Sequence, residues 1–440
     1  MSRIVQSFLL FSFLWSFQHS GFSKCLTDKE KLYPDRFEEP MPFGFVVHAK
    51  GRYLVVGNIQ SDSLGFRKVG LAYVYEQSAV GWNFLGILKP SNPIDYLQFG
   101  NAVAISESGE TIAVAAYGYL PGPTISAVYV FQKPATGWTS MTETERIVLP
   151  DGGNTSNTAV HLTDGDQTLV VGQRYAYDAK GNVYVLRRQP GQKFSQAQIQ
   201  ALTPDVPVAE FGTSLDSSDD MLVVGAPLYK QGPGGVYVFR KNPLTQQYLH
   251  EAILESSEDI GDTNKLGEKV MIKGNYIGSP ALVYKNEKLT PKLFLYKKEK
   301  NSIWTNSTEF TQVKLLDDTR YYRGFIPGVE LLDTLTVAVT AIYSATPDLL
   351  TNNLVGNFSI VTLNHNDWSN PILQSIYEEP FLKSSFSGTG YGSYMTWNGK
   401  KLIFSPSRFS DQSNNFSAIS SFDKGLGPIN DISPFNMFIN

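Results

Sequence analysis

The chain is poor in cysteine and in charge, and both shortages limit what it can be. Among 440 residues only Cys25 is a cysteine, so no disulfide can form within the chain. Charged residues make up 18% of the chain and the formal net charge is -4, which provides no basic surface for nucleic acid or an anionic membrane. No apolar run reaches the roughly 20 residues that a membrane-spanning helix needs. We therefore expect no nucleic-acid partner and no transmembrane segment.

The N-terminus has the features of a secretory signal peptide. Ser2 and Arg3 precede an apolar stretch over residues 4–17, and the small residues Gly21 and Ser23 follow it. This order predicts a signal peptide over residues 1–23 and an exported protein, either secreted or, in a bacterium, periplasmic. Cys25 follows a lysine rather than a small residue, which favours an exposed thiol over a lipid anchor.

Four sequons would be acceptors for N-glycosylation in a eukaryotic secretory pathway. They predict a glycoprotein only if the source is eukaryotic, which the sequence does not show. The candidate asparagines are Asn154, Asn306, Asn357 and Asn415.

A unit that recurs about every 55 residues dominates the rest of the sequence, and such a period indicates one repeated supersecondary structure. Its clearest copy begins at Phe211-Gly212, continues through the apolar run at residues 222–227 and ends in Gly235-Val236-Tyr237-Val238-Phe239. We count seven copies, of which the last two are the most divergent. They open at Phe43, Phe99, Asn157, Phe211, Leu266, Arg323 and Tyr391.

Each copy contains the pattern of four short strands. A tight turn such as Asn398-Gly399 joins the first two, and we expect the fourth strand to begin at a large aromatic residue. Radially arranged units of four antiparallel strands form a β-propeller. The sequence therefore predicts an all-β fold, a seven-bladed β-propeller of four-stranded antiparallel blades. The predicted fourth-strand aromatics are Trp82, Trp138, Phe194, Tyr248, Trp304 and Trp368.

The predicted propeller is a single domain over residues 42–440, and residues 24–41 form an N-terminal segment. The last blade lacks an outer strand after residue 422. We expect that strand to come either from residues 432–439 or from residues 30–36 of the N-terminal segment. The second arrangement would close the ring with both ends of the chain.

Phe-Gly followed by Gly-Ala-Pro, as in Phe211-Gly212 and Gly225-Ala226-Pro227, resembles the FG-GAP repeat of the integrin α-subunit N-terminal β-propeller. The resemblance covers roughly residues 42–422, without the leg domains and membrane helix of integrins. It implies a seven-bladed propeller and a recognition role. The calcium loops common in that family have no counterpart here, because stretches such as Asp216-Ser217-Ser218-Asp219-Asp220 are too short and lack spaced carboxylates. We predict no metal and no cofactor.

The sequence contains no familiar catalytic motif. It lacks His-Glu-x-x-His, Gly-x-Ser-x-Gly and a phosphate-binding loop. Its histidines outside the signal peptide, His48, His161, His250 and His365, fall in four different repeats, which favours ordinary strand or loop residues. We therefore predict no enzyme and no catalytic residues. An enzyme would require acids and bases from several blades to converge on the central channel.

The candidate binding surface is the loop face, on which the loops between strands two and three lie beside the loops between consecutive blades. Long loops on a rigid scaffold often carry function, and tyrosine suits both protein contacts and sugar stacking. Alternatively, these aromatics pack on one another. The candidate ligand-binding residues are Tyr117, Tyr119, Tyr175, Tyr177, Tyr229, Tyr343, Phe409, Arg174, Arg320 and Arg323.

These observations favour a secreted, non-enzymatic adhesion or binding propeller whose partner is an extracellular protein or a glycoprotein. The alternative is a carbohydrate-binding, lectin-like propeller, which would have small sites repeated from blade to blade. An enzyme with a site at the central channel is a third hypothesis. The oligomeric state is left open.

Overall fold

The structure is a computed structural model. It describes residues 26–32, 43–44, 46–79, 81–117, 127–150, 159–207, 209–256, 265–285, 288–308, 310–314, 321–322, 328–333, 336–344, 354–364, 367–379, 395–410 and 415–424.

Within these residues the chain is almost entirely β-structure. The one α-helix is the single turn α1 (Ala176–Ala179), and two 3-10 turns cover Phe194–Gln196 and Tyr229–Gln231. The strands are β1 (Leu26–Leu32), β2 (Val46–Lys50), β3 (Tyr53–Asn58), β4 (Leu71–Ser78), β5 (Gly81–Lys89), β6 (Phe99–Ile105), β7 (Thr111–Ala116), β8 (Ala127–Gln132), β9 (Met141–Thr142), β10 (Glu145–Ile147), β11 (Ala159–Thr163), β12 (Thr168–Gln173), β13 (Asn182–Arg187), β14 (Gln198–Leu202), β15 (Leu215–Ser218), β16 (Met221–Ala226), β17 (Gly235–Lys241), β18 (Tyr248–Leu254), β19 (Met271–Lys273), β20 (Tyr276–Lys285), β21 (Lys288–Lys297), β22 (Phe310–Lys314), β23 (Tyr321–Tyr322), β24 (Val329–Asp333), β25 (Thr336–Ser344), β26 (Leu354–Asn364), β27 (Asp367–Glu379), β28 (Met395–Trp397), β29 (Lys401–Ser410) and β30 (Asn415–Lys424).

The described strands form seven sheets, numbered here in chain order. Sheets 2 to 5 are β6-β7-β8-β10, β11-β12-β13-β14, β15-β16-β17-β18 and β19-β20-β21-β22. Sheet 1 is β2-β3-β4-β5 with β9 added in parallel to β5, and sheet 6 joins β25, β26 and β27 with both β23 and β24 on β25. Sheet 7 is β28-β29-β30-β1. The prediction of an all-β chain built from four-stranded antiparallel units is confirmed.

Sheet 7 takes its outer strand from the N-terminal segment. Strand β1 pairs antiparallel with β30, from Leu26 opposite Lys424 to Leu32 opposite Ile419. This strand overlaps the second of the two ranges considered above, whereas residues 432–439 lie outside the described part of the chain. The first and the last strand that the structure describes therefore pair in one sheet.

Seven strands, here called the inner strands, link consecutive sheets. They are β2, β6, β11, β15, β19, β24 and β28. Strand β6 contacts β2 and β11, β15 contacts β11 and β19, and β24 contacts β19 and β28. Because β28 also contacts β2, the contacts pass through every sheet and return from sheet 7 to sheet 1.

The aromatic of the Phe-Gly motif is a core residue. Phe99 packs edge-on against Tyr129, with 5.2 Å between ring centroids, and Phe211 packs against Tyr237 at 5.0 Å in the same geometry. All four side chains are buried. The motif thus joins the start of a repeat to the Val-Tyr-Val-Phe strand of the same repeat, and edge-to-face pairs contribute about 0.5–1.5 kcal/mol beyond their burial.

A glycine on the second strand lets the next sheet approach closely. A Cβ atom on Gly225 would lie 1.8 Å from the carbonyl oxygen of Gly267, and one on Gly57 would lie 2.2 Å from that of Gly100. Each pair joins one repeat to the Phe-Gly position of the next. Sheet 2 has Ala115 at the corresponding place, and the repeat that follows it lacks Phe-Gly.

The prediction that each fourth strand begins at an aromatic is wrong for three sheets. Trp138, Phe194 and Trp304 are buried but precede their strands, which begin at residues 145, 198 and 310. The indole Nε1 of Trp138 donates to the Gly109 carbonyl at 3.0 Å. This aromatic therefore anchors the connection before its strand rather than starting the strand.

Candidate functional site

A cavity of about 480 Å³ lies between the inner strands, at the end where the tight turns join them to the second strands. We call it the central cavity. Seven of its lining residues are titratable, and they come from six different sheets: His48 and Lys50 from β2, Glu107 from the turn after β6, His161 from β11, Asp216 from β15, Lys273 from β19 and Glu330 from β24. It is the convergence on a central channel that the enzyme hypothesis required, and it lies away from the loop face.

Five polar residues occupy matching positions on their inner strands, and we call them the inner polar ring. Each lies opposite the second residue of the apolar run in the second strand of its own sheet. His48 lies opposite Val55, and Asp216 lies opposite Val223. The ring consists of His48, His161, Asp216, Glu330 and Thr396.

Ring residues accept hydrogen bonds from the backbone of the next sheet. The Ile105 N–H donates to His48 Nδ1 at 3.1 Å, and the Ile272 N–H donates to Asp216 Oδ2 at 2.7 Å. Inner strands lie at sheet edges, where such donors have no strand partner. The ring side chains satisfy them, so these residues hold consecutive sheets together.

The same pattern continues across sheets 6, 7 and 1. The Trp397 backbone N–H donates to the Glu330 carboxyl group, and the Ala49 N–H donates to Thr396 Oγ1 at 2.9 Å in a buried bond. The remaining ring residue, His161, bonds a side chain instead, with 2.8 Å between its Nε2 and Ser217 Oγ.

The two carboxyl groups of the ring are shifted towards neutrality. Burial raises the pKa of Asp216 to about 6, against the backbone N–H of Ile272 and the charge of Lys50, which favour the ionised form. Burial also raises the pKa of Glu330 to about 8, and the charge of Asp216 adds to the shift. At neutral pH Asp216 is therefore mainly ionised and Glu330 mainly protonated.

The charge of Lys50 favours the ionised form of both acids. Burial opposes its charge, but Asp216, Glu107 and Glu330 more than compensate and raise the pKa of Lys50. Its Nζ lies 3.4 Å from Glu107 Oε2 at the mouth of the cavity. Burial and the charge of Lys50 lower the pKa of His48 well below its ordinary value, and lower that of His161 to about 3. Both imidazoles are neutral at pH 7.

Several loop-face residues contact Arg174, which directly follows β12. Its guanidinium donates to Glu210 and, at 3.4 Å, to Glu268 Oε1, and it lies 5.0 Å from the centroid of the Tyr175 ring. Tyr175 is 45% exposed and Tyr177 is 58% exposed, although both are large aromatics. The structure thus places the predicted binding residues Arg174 and Tyr175 in contact and leaves Tyr177, two residues further on, exposed.

The other predicted binding residues are placed differently. Tyr117 is partly buried and close enough to Tyr175 to affect its pKa, whereas Tyr229 is buried and packs edge-on against Tyr237 with 5.7 Å between ring centroids. Tyr229 therefore fits the core alternative. Tyr343 is the next-to-last residue of β25, and Phe409 lies in β29. Tyr119, Arg320 and Arg323 lie outside the described residues.

Asn306 is the sequon residue whose side chain the structure describes. It is exposed, and its Oδ1 accepts a hydrogen bond from the Ile253 N–H at 2.8 Å, which leaves its Nδ2 for a glycan. Asn357 lies in β26 and Asn415 begins β30, while Asn154 is outside the described residues.

Metal and membrane features are absent from the parts of the chain that the structure covers. No group of three or more His, Cys, Asp or Glu side chains there could hold a metal ion. No helix among the same residues is long and apolar enough to cross a bilayer.

Comparison with known proteins identifies the architecture but no family. No family model matches the chain, and no curated protein matches it. Among solved structures, hydrazine synthase from Kuenenia stuttgartiensis is similar, with a TM-score of 0.53 and 11% identity over 90% of this chain and 98% of that one. Prolyl oligopeptidase B from Galerina marginata has a TM-score of 0.46 at 11% identity, over 82% of this chain and 46% of that one. At 11% identity, the likeness to hydrazine synthase shows the fold and nothing about function.

The central cavity cannot be predicted from any one histidine, because its polar groups come from different repeats. His48, Asp216 and Thr396 each stand five residues after the aromatic of the motif that opens their repeat: Phe43, Phe211 and Tyr391. In an alignment of the repeats, these three polar residues fall at the same position. His250, by contrast, packs against Tyr237 and Phe239 in sheet 4.

Proposed function

We propose that this protein is a secreted, non-enzymatic β-propeller of seven blades that binds an extracellular protein or glycoprotein through its loop face. The seven sheets and the contacts of the inner strands from sheet 7 back to sheet 1 support the blade count. The FG-GAP resemblance supports a recognition role.

One observation carries the choice of the loop face. Tyr175 exposes a large aromatic surface against Arg174, which two carboxylates hold in place, and Tyr177 exposes a second aromatic surface two residues further on. Tyrosine and arginine are enriched among residues that dominate binding energy. An arginine fixed before binding loses less conformational entropy on complex formation, which raises affinity.

The test is affinity capture from the secretome of the source organism by the mature protein. The Tyr175→Ala/Tyr177→Ala variant should retain the fold, because both side chains are exposed, but should lose the captured partner. A loss of at least tenfold in affinity, measured with the purified partner, corresponds to about 1.4 kcal/mol and is modest for two hot-spot residues.

A matched control is Leu244→Ala/Ile303→Ala. Leu244 is 92% exposed and Ile303 is 65% exposed, and both lie in connections between the third and fourth strands, away from the loop face. Unchanged binding by the tyrosine variant would refute the proposal. Loss of binding after enzymatic removal of the partner's glycans, or competition by free sugar, would assign recognition to the glycan.

A further inference from the structure

We infer that the central cavity is a binding site for a small, neutral, polyhydroxylated molecule such as a monosaccharide or a cyclic polyol. This site is independent of the loop face and of the partner proposed for it. Its volume of about 480 Å³ falls within the range of about 300–1,000 Å³ that is typical of small-molecule sites.

The cavity lining mixes hydrogen-bond donors and acceptors. Lys50 is a donor, Asp216 an acceptor, and the protonated Glu330 can do both. A hydroxyl group donates one hydrogen bond and accepts others, so a molecule with several hydroxyls complements this lining.

The charges that line the cavity balance one another. At pH 7 the ammonium of Lys50 is balanced by the carboxylate of Asp216, and the two histidines and Glu330 add no full charge. At the mouth, Glu107 and Lys273 carry opposite charges. A charged ligand would lose its hydration without a surplus of opposite charge to replace it, whereas a neutral polar ligand avoids that cost.

Part of the cavity wall is apolar. Val160 from sheet 3, Val270 and Met271 from sheet 5, and Met395 and Trp397 from sheet 7 line the cavity beside the polar groups. Sugars and cyclic polyols present C–H faces as well as hydroxyl edges, and apolar side chains can cover those faces. A ligand without such faces would leave these apolar side chains without a contact.

The site is accessible from the tight-turn side. Gly51, Lys273 and Gly399 line the cavity and are exposed to solvent. The ring residues His48, His161, Asp216 and Glu330 are themselves only partly buried. A ligand can therefore reach them without opening the sheets.

The experiment is calorimetric titration of the mature protein with D-glucose, D-galactose, D-mannose, L-fucose and myo-inositol. Concentrations up to about 10 mM would fill about nine-tenths of a site with a Kd of about 1 mM. We expect at least one of these neutral probes to bind. Gluconate and glucosamine, the anionic and cationic counterparts of glucose, should bind more weakly than glucose itself.

Two substitutions separate binding from folding. Lys50→Met removes the ammonium without touching the backbone bonds of the ring, and should weaken binding at least tenfold. Glu330→Gln mimics the protonated acid and should keep the affinity within about threefold at pH 7. Lys133→Met, which removes a lysine paired with Glu110 outside the cavity, is the matched control and should bind like the wild type.

Three results would overturn the inference: no binding of any neutral probe, tighter binding of gluconate or glucosamine than of glucose, or full affinity in a folded Lys50→Met protein. The Tyr175→Ala/Tyr177→Ala variant distinguishes this site from the loop face. It should bind the neutral probe normally, even if the loop-face proposal is correct.

Discussion

Replacing Gly225 by alanine tests whether the close approach of consecutive repeats stabilises the fold. The added Cβ would lie 1.8 Å from the carbonyl oxygen and 2.8 Å from the carbonyl carbon of Gly267, and 2.3 Å from Ser214 Oγ. The first two obstacles are backbone atoms, so no side-chain rotation relieves them. Ser214 cannot simply move aside either, because its hydroxyl donates to the same Gly267 carbonyl at 2.8 Å.

The magnitude follows from these contacts. Overpacking of a well-packed core costs about 1–3 kcal/mol, and displacement of the Gly267 carbonyl would also weaken a buried hydrogen bond of about 1 kcal/mol. We expect Gly225→Ala to reduce the free energy of unfolding by about 3 kcal/mol. For a chain of this length that lowers Tm by roughly 3–6 °C, because the shift per kcal/mol falls as chains grow longer.

The assay is thermal and urea unfolding followed by both circular dichroism and tryptophan fluorescence. Coincident transitions would justify a free energy in a protein of this size. The control is Gly165→Asn, at a turn glycine with φ of +56° and no atom within 4 Å of the added Cβ, since asparagine tolerates this conformation. If Gly225→Ala is no less stable than the control, the close approach of the two sheets is not a source of stability.

Three further predictions concern the polar ring and the N-terminal strand. Folding raises the pKa of Glu330 from 4.5 to about 8, so the native state binds this proton more tightly than the unfolded chain does. The free energy of unfolding should therefore decrease as pH rises across that interval. Urea midpoints measured at several pH values should show the decrease, which should be smaller in Glu330→Gln. Asp216→Ala leaves the Ile272 N–H without its acceptor and should cost about 1–3 kcal/mol, whereas Asp216→Asn keeps an acceptor and should cost less; equal losses would contradict the hydrogen-bonding role. Deleting Leu26–Leu32 exposes the edge of β30 and should lower Tm relative to a protein that begins at residue 26, a difference that scanning calorimetry would measure.

The sequence predicted the strands well where repeat and apolar pattern coincide. β16 lies between two partners and is buried throughout, and its run of Leu222, Val223 and Val224 indicated a central strand. The fourth strands were harder to locate, because their burial is partial. Thus β14 has a single buried residue, Leu202, and little apolar alternation marks its start.

The candidate sites were less predictable for a physical reason. Exposure depends on how a loop folds on its own core, which is why Tyr175 remained at the surface while Tyr229 became part of the interior. Nothing in the immediate sequence of either tyrosine distinguishes the two cases. The central cavity depends on residues as far apart as His48 and Glu330, whose proximity is a property of the whole ring of contacts.

The inner polar ring combines two roles that constrain each other. Asp216 and Glu330 satisfy backbone donors of the neighbouring sheet and also present hydrogen-bonding groups to the cavity. Removing either side chain would therefore change stability and binding together, so alanine variants cannot assign function here. Lys50 differs from the ring residues because it forms an ion pair with the exposed Glu107 rather than a bond to a backbone group. Binding to the central cavity should consequently depend on Lys50 much more than folding does, and that difference is what separates a ligand site from polar groups that only fasten the strands.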